Sequence, residues 1–129
     1  MALRYKWVKK DLDFINEMNK SKSNNKRKKR HLKQYEKQGW CDADTWCLDQ
    51  RFAQWLLPRL KRFKELTIGI PMDLTEKQWM SILQEMIDGF EFMASDDYYQ
   101  WGEPKWDKKH EKINKAMDLF TKHIRNLWW

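Results

Sequence analysis

Residues 75–93, TEKQWMSILQEMIDGFEFM, decide the fold. Trp79, Ile82, Leu83, Met86, Ile87, Phe90 and Met93 recur at steps of three and four, which lays one apolar stripe along a helix. Thr75 and Gln78 have the spacing of a capping box, in which each side chain accepts from the other residue's backbone N–H. Leu74 stands where a hydrophobic staple would sit. A strand would require alternation at every second residue, and no segment of the chain sustains it.

The same periodicity extends to both sides. Upstream, DADTWCLDQRFAQWLLPRLKRFKEL (42–66) places Leu48, Phe52, Trp55, Leu56, Leu60 and Phe63 at helical steps, with Asp42 or Asp44 able to cap the start. Pro58 lies inside this pattern and lacks a backbone donor, so a kink or break is expected near Leu56–Leu57. Gly69 and Pro71 punctuate the loop that leads to Thr75. Downstream, Asp96, Asp97, Gly102 and Pro104 signal a connection. A last helix is expected from about Trp106 to the C-terminus, on a stripe of Ile113, Ala116, Met117, Phe120, Ile124, Leu127 and Trp128. Near the start, Trp7, Leu12, Ile15 and Met18 are the apolar candidates of a shorter helix. The fold class expected is all-α: a small antiparallel helical bundle of three main helices. Trp55, Trp79 and Trp128 are expected in its core.

Composition agrees. The chain has 129 residues, 41% hydrophobic and 35% charged, which suits one domain. Four glycines and three prolines are too few for a loop-rich β-sandwich, and two cysteines cannot make a disulfide scaffold. No apolar run approaches the roughly 20 residues of a membrane span. The opening MALRYKWVKKDLDF has no uninterrupted apolar stretch to serve as a signal peptide. The expectation is a protein of a reducing compartment without a membrane partner.

Charge divides the chain. Residues 1–40 hold 13 Lys/Arg against four acids, a surplus of nine, whereas residues 41–129 hold 13 against 15, a deficit of two; together they give the net +7. Lys20 to Lys33 carries eight basic residues and no acid. Such a run repels itself and buries little, so residues 1–38 are expected to form a basic N-terminal arm, mobile or a solvated helix, ahead of a bundle domain at 39–129. Lys26, Arg27, Lys28, Lys29 and Arg30 are its candidates for phosphate contact.

The residues that could carry chemistry are sparse. Cys41 and Cys47 lack a zinc or redox spacing; Cys47 reads as a small buried residue and Cys41 as a free thiol. Glu85, Asp88 and Glu91 share a helix flank, but no second helix supplies the facing carboxylates of a metal site. No phosphate loop, nucleophile elbow or His-Glu-x-x-His is present. No catalytic residue, metal or cofactor is assigned. What remains is rings beside cations: Trp40, Trp46, Arg51 and Arg59 around one helix, and Tyr98, Tyr99, Trp101, Lys105 and Trp106 in the connection. Rings stack bases while Arg and Lys hold phosphates, and the same inventory suits a protein hot spot. Rings in surplus off the stripes, at Trp40, Trp101, Trp106 and Trp129, further suggest a homo-oligomer.

The order Trp46-x-Leu48-Asp49, Leu57-Pro58-Arg59-Leu60-Lys61-x-Phe63-Lys64, Gly69-x-Pro71-x-Asp73-Leu74-Thr75, Ile82-Leu83-x-x-Met86-Ile87-x-x-Phe90-Glu91 and Leu127-Trp128 resembles a family of small phage and prophage proteins. The resemblance covers about residues 39–129 and assigns no activity, so no functional residue is carried over from it. It implies a phage accessory product of the bacterial host cytoplasm, a context in which inhibitors and sponges of host defence are common. The expected function is therefore a non-enzymatic oligomer that binds a nucleotide-like anion or a host protein through its aromatic and basic surface. The alternative is nucleic-acid binding through the arm.

Overall fold

The computed structural model describes residues 25–99 and 106–128, and every regular element among them is helical. Four α-helices follow in order: α1 Asn25–Gln38, α2 Leu48–Leu66, α3 Glu76–Met93 and α4 Trp106–His123. Short 3₁₀ turns stand at Asp42–Thr45, Asp96–Tyr99 and Ile124–Asn126. The chain divides into two compact units, Met1–Leu48 and Asp49–Trp129, so the division falls at the first residue of α2 rather than after residue 38. The shorter helix expected around Trp7–Met18 and the first part of the basic arm lie outside the described residues.

Within the first unit, α1 is more than a solvated helix. His31 and Tyr35, one turn apart, are buried, as are Cys41 and Ala43 in the segment that follows. Gly39 ends the helix with φ 81°, a left-handed conformation that glycine adopts without a Cβ penalty, and its N–H donates to the Tyr35 carbonyl at 2.9 Å. The chain then doubles back. Asp44 accepts from the Tyr35 hydroxyl at 2.6 Å and from the Cys41 backbone N–H at 2.9 Å. Asp42 N–H donates to the Gln34 side chain at 2.9 Å.

In the second unit, α3 carries the core. Trp79, Leu83, Met86, Ile87, Phe90 and Met93 are all buried, and the Thr75–Gln78 capping box forms in both directions, at 3.2 and 2.9 Å. Helix α4 runs antiparallel to it: Trp79 faces His123, Phe90 faces Phe120 and Phe92 faces His110. The crossing is tight because Gly89 and Ala116 meet there. A Cβ at Gly89 would run into the Ala116 methyl and the Lys112 carbonyl.

Helix α2 joins this pair through one apolar stripe and two glutamines. Ala53, Leu56 and Leu60 enter the shared core. The Gln50 amide donates to the Ser95 carbonyl at 2.7 Å, which also accepts from the Tyr98 N–H, and Gln54 donates to the Ala94 carbonyl at 3.3 Å, just past the end of α3. Pro58 does not break α2, which is helical from Leu48 to Leu66. One turn before it, the Trp55 carbonyl accepts from the Arg59 guanidinium at 2.7 Å. Of the tryptophans expected inside, Trp79 is fully buried, but Trp55 is 51% and Trp128 75% exposed. Leu48 and Phe52 also lean outward, because the core-facing stripe of α2 is Ala53–Leu56–Leu60. On α4 the inward residue near the end is His123, not Ile124.

The Gly89 crossing yields a prediction. Alanine is the better helix former by about 1 kcal/mol, yet Gly89→Ala should destabilise the protein by roughly 1–3 kcal/mol through overpacking. Urea unfolding followed by circular dichroism measures the sign, and a stabilised variant would show that the crossing is looser than described.

Candidate functional site

Of the nine residues expected to bind a ligand, Trp40 and Trp46 belong to the first unit and Arg51, Arg59, Tyr98, Tyr99 and Trp106 to the second. Trp101 and Lys105 lie outside the described residues. Tyr98 and Tyr99 are engaged with the protein itself: their hydroxyls donate to the two carboxylate oxygens of Asp49, at 2.9 and 2.7 Å. The Tyr98 ring stacks on His110 at 6.0 Å and 15°, and the Trp106 ring also packs on His110, at 3.6 Å between centroids. These rings are a structural stack that ties the Asp96–Tyr99 turn to α2 and α4.

The stack perturbs its ionisable members. Burial alone would raise the Asp49 carboxyl, but the hydroxyls of Tyr99 and Tyr98 and the backbone N–H groups outweigh it and hold the group below its ordinary value. Tyr98 is pushed up to about 12, by burial first and by its bond to Asp49 second. The other buried groups titrate away from neutrality. Burial, helped by Arg30, lowers His31; burial, helped by Lys122, lowers His123; burial and then Asp44 raise the Cys41 thiol. Cys41 is the buried cysteine and Cys47 the partly exposed one, the reverse of the expectation, because the Asp44 loop folds over Cys41.

The acidic flank of α3 is accounted for in the same way. Glu85 pairs with Lys115 at 2.9 Å, Glu91 with Lys61 at 3.5 Å, and Asp88 accepts from Gln84 at 2.8 Å. Among the described residues no three His, Cys, Asp or Glu gather as metal ligands, and no helix is long and apolar enough to cross a membrane.

Two arrangements of cations among the described residues are open to solvent. On α2, Arg59 lies over the Trp55 ring at 4.3 Å, with Phe52 stacked beside it at 6.3 Å. On α1, Lys26, Lys29, Arg30, Lys33 and Lys37 fall at i, i+3, i+4, i+7 and i+11, which is one helix face. Together with Gln34 and Gln38 they line an open groove along the helix. Arg30 is the member of this face that approaches a carboxylate among the described residues, Asp42 at 4.0 Å. Of the five arm residues expected to meet phosphates, Lys26, Lys29 and Arg30 share this face, while Arg27 and Lys28 point round the helix. Lys33 and Lys37, which complete it, emerge only when the run is read at helical steps. Trp40 and Trp46 follow in the same unit, 50% and 79% exposed.

Charge coincides with this division. Residues 1–48 hold 13 Lys/Arg against six acids, the whole +7, and residues 49–129 hold 13 against 13. Compared with known proteins, the chain matches no family model, no curated protein and no solved structure.

Asp49 gives the subsection its test. A carboxyl whose folded pKa is depressed contributes stability that is present above its unfolded value, ordinarily 3.8, and lost as pH falls through the folded value. Asp49→Asn should therefore cost about 1 kcal/mol near neutral pH. The deficit in Tm relative to the unaltered protein should shrink as the pH is lowered below 4; a constant deficit would show that the carboxylate charge is not what the tyrosines recognise.

Proposed function

We propose that the Met1–Leu48 unit binds single-stranded nucleic acid through the basic face of α1, and that the second unit is a non-enzymatic helical platform for it. The observation that supports this reading is the cationic face itself. Five basic side chains on one face span 11 residues, about 16 Å of helix, a length suited to several successive phosphates. The unit carries the entire net charge, and neutralising phosphates releases counterions from the strand. Trp40 and Trp46 supply exposed rings in the same unit, and a ring stacks on any base without reading its sequence.

The nucleotide-pocket reading of the body receives no comparable support, since Tyr98, Tyr99 and Trp106 are occupied within the fold. On our reading the three helices α2–α4 form an antiparallel bundle and the working protein is a homo-oligomer. A phage accessory role in the bacterial cytoplasm, including one directed at host defence, rests on the sequence resemblance.

Anisotropy of a labelled thymidine oligonucleotide, titrated with full-length protein at two salt concentrations, tests the proposal. Affinity should fall steeply with salt, by about 0.7 in logarithmic slope per phosphate contact on a single strand. The triple variant Lys26→Glu, Lys29→Glu, Lys33→Glu should abolish binding while the helical spectrum is retained. Trp46→Ala should cost roughly 1–3 kcal/mol if the ring stacks a base. Binding that ignores both salt and the triple variant would refute the assignment.

A further inference from the structure

Helix α2 carries a second stripe that, among the described residues, stays largely exposed. Leu48, Phe52, Trp55, Arg59, Arg62 and Leu66 follow one another at steps of 4, 3, 4, 3 and 4, the spacing of a coiled-coil seam. All six face solvent, although Phe52 also touches Phe90 and Phe120 of the core. The seam runs from the first residue of the helix to its last, about 27 Å. Four of its six members are large and apolar, and an apolar stripe of this length on a water-soluble surface calls for a covering helix.

We infer that the covering helix is α2 of a second copy of this chain, packed antiparallel. The charges select this occupant and this direction. In a parallel pair Arg59 would face Arg59 and Arg62 would face Arg62, two like-charge contacts in the centre of the seam. In an antiparallel pair centred near residue 57, Leu48 of one copy meets Leu66 of the other, Phe52 meets Arg62, and Trp55 meets Arg59. Trp55 and Arg59 already show their affinity as a cation–π pair within the chain, at 4.3 Å. Along one flank the same register sets Arg51 of each copy against Glu65 of the other, with Pro58 near the two-fold axis. Each contact occurs twice, as an isologous interface requires. The Arg62–Glu65 pair within the chain, at 2.8 Å and well exposed, is of the kind that costs little to exchange. The surrounding unit is neutral, 13 basic against 13 acidic residues, so two copies approach without net repulsion.

This interface differs from the off-stripe tryptophan patch expected from sequence, and it stands or falls separately from nucleic-acid binding. Sedimentation equilibrium of nuclease-treated, full-length protein over a range of micromolar concentrations is the measurement. A dimer is expected. Trp55→Glu should weaken it by roughly tenfold or more, as loss of a central aromatic anchor does, with the helical spectrum retained. Arg51→Glu and Glu65→Arg should each weaken the dimer, and the two together should restore it. A monomer at every concentration overturns the inference, as does a dimer indifferent to Trp55→Glu. Failure of the paired exchange to restore the dimer overturns the antiparallel register.

Discussion

The close crossing of α3 and α4 at Gly89 and Ala116 is the constraint on which the second unit depends. Two small residues bring the backbones together, so the large side chains on either side of the crossing, Trp79 with His123 and Phe90 with Phe120, interlock rather than collide. Once those two helices are locked, α2 can approach only to the distance that Leu56, Leu60 and Phe52 set. Its attachment is then part apolar and part polar, through the glutamines that bond carbonyls just past the end of α3 and through Lys64 and Lys61 reaching Gln84 and Glu91.

The division of charge follows the division of structure. The first unit folds around an internal hydrogen-bonded loop, in which Asp44 accepts from Tyr35 and Cys41. Among its described residues, seven cations lie on α1 and one acid, Glu36, lies with them. The second unit balances its charges against one another across helices, as Lys115 does with Glu85. The surplus of positive charge therefore belongs to one unit, and the other is neutral as a whole.

Much of this was legible in the sequence, and the failures have physical reasons. The α3 stripe and the Thr75–Gln78 cap could be read because hydropathy and capping chemistry pointed the same way there. On α2 the periodicity was present twice, about 100° apart round the helix, and steps of three and four do not say which stripe meets the core. Leu56, Leu60 and Phe63 of the expected stripe do meet the core, but the large side chains of Leu48 and Trp55 were counted with them, while Ala53, fully inside, was passed over. Gly89 carries no hydropathy signal, and its role exists only through Ala116 and Lys112, which lie more than twenty residues away in sequence. His123 counted as polar, though a neutral imidazole packs edge-on against an indole as any ring does. The basic run concealed its organisation because a block of consecutive charges was read as composition rather than at helical spacing.

The two cysteines make a built-in clock of the first unit. Cys47 is partly accessible, whereas Cys41 is sealed under the Asp44 loop with its thiol held in the protonated, unreactive form. An alkylating reagent should therefore mark Cys47 at once and Cys41 only during the moments when the loop opens. The slow phase of labelling reports the free energy of that local opening, independently of when the rest of the molecule melts. A strand laid along α1 would show itself there as a change of tempo.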